Sequence, residues 1–75
     1  MPSYYWTFNE MNDGKWYYRC EDDGHVLCAI VSWDSAAHQW EAFYCFNYNG
    51  APTSHHSLAS DAKDSVETVV NAGGA

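Results

Sequence analysis

The sequence predicts an α+β domain: a four-stranded antiparallel β-meander with one C-terminal helix packed on one face. Residues 3–48 alternate strand-like runs with glycine-containing turns, which is typical of antiparallel hairpins. Residues 49–56 are polar and contain glycine and proline, so we expect a loop there. Residues 57–72 carry apolar side chains at a helical spacing, which predicts a helix. Within 75 residues these elements form a single domain, residues 1–75, with one core.

The first two predicted strands each place alternate side chains on one face: Tyr4, Trp6 and Phe8, then Trp16, Tyr18 and Cys20. The turn between them, residues 12–14, ends in a glycine that accepts positive φ. A second turn, residues 21–24, leads into residues 26–31, which are apolar throughout. Because a strand buried on both faces has such a run, we expect it at the centre of the sheet. The fourth strand, residues 39–48, carries aromatic side chains on both faces.

The predicted helix is amphipathic. Ser57 is a suitable N-cap, and Gly73 is a suitable residue to end the helix. The apolar stripe consists of Leu58, Ala62, Val66, Val69 and Val70. Asp61, Asp64 and Glu67 fall on the opposite side and give the helix an acidic outer face. One helix covers one face of the sheet, so the other face is predicted to present Trp and Tyr side chains to water, a second copy or a partner.

The chain is both acidic and aromatic. It carries ten acidic and three basic residues, a formal charge of −7, which repels nucleic-acid phosphates and anionic lipids. Direct nucleic-acid binding and membrane binding are therefore not expected. Four Trp, six Tyr and three Phe residues distinguish the chain from disordered acidic tails, which are poor in aromatics. Since we expect neither an export signal nor a membrane span, we predict a cytoplasmic protein.

The residues that could carry chemistry lack the spacing of known motifs. Cys20, Cys28 and Cys45 are odd in number and widely spaced, which favours buried, reduced thiols over a zinc site or disulfides. His55 and His56 are adjacent, so their rings point to opposite sides of an extended chain and cannot easily share a metal. We predict no catalytic residues, no metal and no cofactor, and hence no enzyme. A cysteine–histidine hydrolase stays open as an alternative because its requirements are spatial.

Two resemblances bear on the class of protein. Residues 13–20, the turn at 23–24 and residues 57–63 resemble, in short pieces, the hairpin and helix of YegP-like small domains. That resemblance implies a fold and no activity. In its size, its charge of −7 and its predicted layout, the chain also resembles phage-encoded inhibitors of the anti-CRISPR type. This second resemblance implies a host-cell cytoplasmic location and a block of nucleic-acid sites on an effector complex.

We therefore predict a protein–protein binding inhibitor of a nucleic-acid-processing complex, with a basic nucleic-acid-binding protein as partner. Carboxylates on a helix are about 5–6 Å apart, similar to successive phosphates, so they can imitate nucleic acid. The predicted charge contacts are Glu21, Asp22, Asp23, Asp61, Asp64 and Glu67. The predicted aromatic anchors are Trp33, Trp40 and Tyr44. The alternative is a homodimeric structural or accessory subunit in which two sheets pair face to face.

Overall fold

The computed structural model describes residues 3–45 and 53–72 of the chain. Its strands are β1 (Tyr4–Phe8), β2 (Trp16–Cys20), β3 (Val26–Asp34), β4 (Gln39–Tyr44) and β5 (Ser54–His56), and its helix is α1 (Ala59–Asn71). The strands form one antiparallel sheet whose spatial order is the order of the chain. The α+β class, the antiparallel meander and the C-terminal helix are therefore confirmed.

The predicted number of four strands is wrong, because Ser54–His56 adds a fifth. This strand pairs antiparallel with β4 and places His56 opposite Trp40. A strand of three polar residues has no apolar alternation, so its sequence has the features of a loop. Its pairing depends on main-chain hydrogen bonds to the edge of β4. The predicted extension of β4 beyond Tyr44 falls mostly in residues 46–52, outside the described ranges.

β3 lies at the centre of the sheet, as its continuous apolar run predicts. The register between β2 and β3 shifts, so that Tyr18 lies opposite Ala29 whereas Arg19 lies opposite Leu27. This irregularity is a β-bulge, which redirects side chains locally. As a result two successive residues, Cys28 and Ala29, are both fully buried in the core.

The core lies between α1 and one face of the sheet. Ala62, Val66 and Val70 are spaced by four residues and are fully buried on the inner side of the helix. They pack against a cluster from the strands that includes Tyr18, Cys20, Val31, Ala42 and Tyr44. Isolated helices of 13 residues are marginal in water. Burial of this stripe against the sheet is therefore the main source of the helix's stability.

The helix begins two residues later than predicted. It starts at Ala59 after Leu58, whose backbone is extended and whose side chain makes no capping hydrogen bond. Ser57 is therefore not the N-cap. At the other end the C-cap is Ala72, whose N–H donates to the carbonyl of Val70, and the predicted glycine end lies outside the described residues. Within the ranges 3–45 and 53–72, no helix is long and apolar enough to cross a membrane.

α1 is narrower than the sheet that it covers. It packs mainly on β3, β4 and β5. Five strands about 4.8 Å apart span roughly 19 Å, whereas a helix with its side chains is about 10 Å across. The helix-side surface of β1 and β2 therefore extends beyond α1.

Candidate functional site

All four tryptophans lie on the side of the sheet that faces α1. Trp33 and Trp40 are paired across β3 and β4 and share a face with the buried residues two positions away in each strand. Trp6 and Trp16 contact side chains of the helix. The prediction that the opposite face carries Trp and Tyr side chains is therefore wrong for tryptophan, whereas Tyr5 and Tyr17 do lie on that face. Strand alternation is the reason for the position of the tryptophans. Each tryptophan lies an even number of residues from a core residue of its own strand or directly opposite a core residue of the neighbouring strand, so it points to the same face.

Two aromatic pairs, Phe8 with Trp16 and Trp33 with Trp40, lie at one end of this face, where Leu58 precedes α1, and we call these five residues the aromatic ridge. Antiparallel pairing brings the end of β1, the starts of β2 and β4, the end of β3 and the start of α1 to the same end of the sheet. The ring centroids of Phe8 and Trp16 are 4.6 Å apart, and those of Trp33 and Trp40 are 5.6 Å apart. Phe8 is 52% exposed, Trp33 48% and Leu58 58%. Grouped exposure of large apolar side chains is typical of an interaction surface.

Contacts with α1 hold two tryptophans in place: Trp16, which belongs to the ridge, and Trp6, which lies beside it. The Lys63 ammonium lies 3.7 Å from a ring centroid of Trp16 and 5.2 Å from that of Trp6. The indole Nε1 of Trp6 donates a 2.8 Å hydrogen bond to Glu67, and its ring packs 4.5 Å from the ring of Tyr18. Side chains that are already ordered lose little conformational freedom on binding, which favours affinity.

Five of the six predicted charge contacts separate into two groups at opposite ends of the sheet, and Glu67 belongs to neither group. Asp61 and Asp64 are exposed, and Asp61 lies three residues after Leu58 of the ridge. Glu67 is half-buried by its hydrogen bond to the sheet, so it does not belong to the outer acidic face. Glu21–Asp23 forms an exposed one-turn 3₁₀ helix between β2 and β3, at the end away from the ridge. A single partner site at the ridge can include Asp61 and Asp64 but not this turn.

Of the three predicted anchors, Trp33 is the exposed one. Trp40 is half-buried beside it, and Tyr44 is only 6% exposed within the core. Tyr44 is thus a packing residue that does not reach a partner in this fold. Sequence reasoning missed Phe8 and Leu58 by assigning both to apolar stripes. Their positions could have indicated exposure, because Phe8 ends a strand and Leu58 precedes the first helical turn. Neighbouring elements bury the ends of an apolar stripe less completely than its middle.

The face of the sheet opposite α1 combines apolar side chains, with Tyr17, Ile30 and Phe43 in neighbouring register positions, and a polar cluster that is internally bonded. Arg19 forms an ion pair with Glu10, and Glu10 also accepts a hydrogen bond from Thr7. The bonds from Arg19 and then Thr7 hold the pKa of Glu10 below its ordinary value. Phe43 is an aromatic side chain of this face and is 47% exposed. In the polar cluster of this face the charges of Arg19 and Glu10 are already paired with each other.

Tyr17, on this same face, is expected to ionise late. Its hydroxyl donates to Asp13, and that hydrogen bond, followed by burial and the charge of Asp13, raises the pKa of Tyr17 to about 12. Because the fold favours the neutral phenol, this contribution to stability is complete below about pH 10 and is lost as the pH rises toward 12. A phenolate absorbance titration should show a late component that is absent in Tyr17→Phe. In Asp13→Asn that component should move toward pH 10, and an unchanged curve in both variants would contradict the assignment.

No family model, no curated protein and no solved structure matches this chain. The resemblances to YegP-like domains and to inhibitors of the anti-CRISPR type stay predictions. What the residues themselves provide is a set of exposed aromatic side chains on a rigid sheet end, beside two exposed carboxylates. Such an arrangement can bind a protein surface that has apolar pockets and positive charge.

The positions of the thiols and of the two adjacent histidines follow from core packing and strand register. Cys20 and Cys28 are buried in the core. Burial raises the pKa of Cys45 above its ordinary value, which is the opposite of what a nucleophilic thiolate needs. His55 and His56 point to opposite faces of the sheet, as their adjacency predicts.

Proposed function

We propose that this protein is a protein–protein binding inhibitor of a nucleic-acid-processing complex, of the anti-CRISPR type, and that it docks through the aromatic ridge. The observation that carries the proposal is the exposure of Phe8, Trp33 and Leu58 at one end of the sheet, the end where α1 begins with Asp61 in its first turn. Exposed apolar surface is unfavourable in water, so its concentration at one end of the sheet favours a partner that covers it. Tryptophan is among the residues that most often dominate the energy of such an interface.

The charge of the chain favours a basic partner. The formal charge is −7, and two of the three basic side chains are already engaged, Arg19 with Glu10 and Lys63 with tryptophan rings. Asp61 and Asp64 add exposed negative charge beside the ridge. Complementary charge accelerates encounter and fixes the orientation of two proteins. A Lys/Arg-rich surface therefore fits this site, and nucleic acid itself does not.

Arginine combines the two kinds of contact that the site offers. A guanidinium group can stack on the exposed ring of Trp33 and can bind the carboxylate of Asp61 bidentately. Protein surfaces rich in exposed arginine and lysine are the ones that bind nucleic-acid phosphates. Occupation of such a surface excludes nucleic acid from it, so competition is the expected mode of inhibition.

Replacing Trp33 by alanine tests the docking surface. Immobilised wild-type protein is used to capture its partner from the host lysate, and the affinity of the purified pair is then measured. Trp33→Ala should weaken binding about 30-fold or more, because a central tryptophan contributes about 2 kcal/mol or more. The matched control is Phe43→Ala, since Phe43 is exposed to the same extent, 47% against 48%, on the opposite face. That control should change the affinity less than about threefold.

Competition and salt dependence test the partner's class. The wild-type protein should displace labelled nucleic acid from the captured partner, and the complex should weaken at least about tenfold from 0.1 to 0.5 M salt. A partner that keeps its nucleic acid, or a complex indifferent to both Trp33→Ala and salt, would contradict the proposal. Light scattering examines the homodimer alternative. If the protein forms a dimer that persists on dilution, and if Trp33→Ala dissociates that dimer, the result would contradict the inhibitor proposal and support a structural or accessory role.

A further inference from the structure

Asp34, Glu41 and His55 converge on the face of the sheet opposite α1. They belong to three neighbouring strands, β3, β4 and β5. His55 lies directly opposite Glu41, and Asp34 pairs with Gln39, two residues before Glu41 on the same face. Strand register therefore brings one imidazole and two carboxylates together.

The two distances from the imidazole to the carboxylates are those of ligands around a metal ion. The Nε2 atom of His55 lies 3.5 Å from Oδ2 of Asp34 and 3.6 Å from Oε2 of Glu41. One ligand atom from each residue lies within 4.8 Å of the other two. Hydrogen bonds between nitrogen and oxygen are shorter, about 2.7–3.2 Å. Ligands bound at about 2.0–2.2 Å in a tetrahedral site are about 3.3–3.6 Å apart, which matches the imidazole–carboxylate spacing.

We propose that Asp34, Glu41 and His55 form a binding site for a divalent transition-metal ion, with zinc as the best fit. An imidazole ligand suits zinc and its neighbours in the first transition series, whereas magnesium and calcium prefer oxygen ligands alone. Two carboxylates balance the charge of the ion. The side chain of His55 is 39% exposed, and those of Asp34 and Glu41 are each 30% exposed. An ion can therefore enter from solvent, and its fourth coordination position is open to water.

The turn that follows β3 orients Asp34 for this role. Its Oδ1 atom accepts hydrogen bonds from the backbone N–H groups of Ala36, at 3.1 Å, and Ala37, at 3.3 Å. Its other oxygen, Oδ2, is the one near His55. Hydrogen bonds that orient a ligand commonly increase metal affinity by about tenfold or more. A protonated imidazole between two carboxylates is the competing explanation, and the two differ in their response to zinc.

A bound ion would connect β5 to the centre of the sheet. β5 has three residues, pairs with β4 and leads into α1. An ion held from β3, β4 and β5 joins three strands at one point. Small single-core domains commonly depend on such a metal for stability. Zinc is therefore expected to raise the unfolding temperature of this protein.

The test uses the full chain after a chelator has removed bound metal. Calorimetric titration with zinc chloride should show one saturable site per chain, and excess zinc should raise the unfolding temperature by several degrees. His55→Gln and Asp34→Asn should each weaken zinc binding at least about tenfold and abolish that rise. The matched control is His56→Gln, which makes the same change one residue away on the opposite face. Its zinc affinity should stay within about threefold of wild type.

Cobalt(II) in place of zinc identifies the donor atoms. Nitrogen and oxygen ligands give weak visible bands, whereas a thiolate such as that of Cys45 adds intense near-ultraviolet charge transfer. Non-saturable zinc binding, wild-type zinc affinity in His55→Gln, or a thiolate spectrum would each overturn the proposal. If His55→Gln does not fold, Glu41→Gln supplies the same comparison. Since these measurements need no partner, their failure would leave the proposed inhibitor function unaffected.

Discussion

A Val66→Asp chain is expected to be unfolded in water at 25 °C. Val66 is fully buried on the inner side of α1, in the cluster that joins helix and sheet. A single core in a chain of this size supplies roughly 3–5 kcal/mol of net stability. Burial of an unpaired carboxylate costs several kcal/mol, which exceeds or matches that amount. Far-ultraviolet circular dichroism should therefore show the loss of both helix and sheet.

Two further variants control for the added charge and for the lost volume. Thr68→Asp places the same charge two residues away on an exposed position of the helix and should fold. Val66→Ala removes two methyl groups and should lower the free energy of unfolding by about 2 kcal/mol, at about 0.8 kcal/mol per group plus a cavity cost. A folded Val66→Asp chain with the wild-type denaturant midpoint would mean that the helix does not pack through this residue.

Trp6→Ala is expected to lower the free energy of unfolding by about 3 kcal/mol, because truncating a packed tryptophan costs about 3–5 kcal/mol and Trp6 is only half-buried. The residue joins parts of the chain that are far apart in sequence. Its indole donates to Glu67, 61 residues later, while its ring packs on Tyr18 and lies near the Lys63 ammonium. Urea unfolding followed by circular dichroism measures the loss directly.

Smaller substitutions at the same contact separate the contribution of ring packing from that of the hydrogen bond. Trp6→Phe keeps a ring but loses the N–H donor, so it should cost about 1–2 kcal/mol. Glu67→Gln keeps an acceptor oxygen and should cost less than about 1 kcal/mol. Equal urea midpoints for wild type and Trp6→Ala would show that this contact adds nothing to stability.

The sheet and the helix could be predicted because their patterns repeat over many residues. The alternation in Trp16–Cys20 and the four-residue spacing of Ala62, Val66 and Val70 each combine several independent positions. The continuous apolar run in β3 identified the central strand in the same way. Periodicity does not specify which parts of an apolar stripe a neighbour covers. For that reason Tyr44 could be mistaken for a surface anchor and Phe8 for a core residue.

β5 and the proposed metal site share one reason for being missed. Three polar residues contribute too little burial for a sequence pattern, so β5 is specified by its partner strand. Without β5 the position of His55 relative to Glu41 is undefined. The three proposed ligands also lie seven and fourteen residues apart in sequence, which fits no metal-binding motif. Their convergence is a property of strand register. The bond that removes Glu67 from the acidic helix face is a property of how the helix packs on the sheet.

The order of the strands has a kinetic consequence. Each strand of the sheet pairs with the strand next to it in the chain, so successive hairpins can form by closing short loops at a small entropic cost. The contacts of longest range are those between α1 and the first hairpin, such as Trp6 to Glu67 and Tyr18 to Asn71. Formation of the contacts between α1 and the first hairpin is then expected late in folding, and their loss early in unfolding. Trp6→Phe should accordingly accelerate unfolding in stopped-flow measurements more than it slows folding.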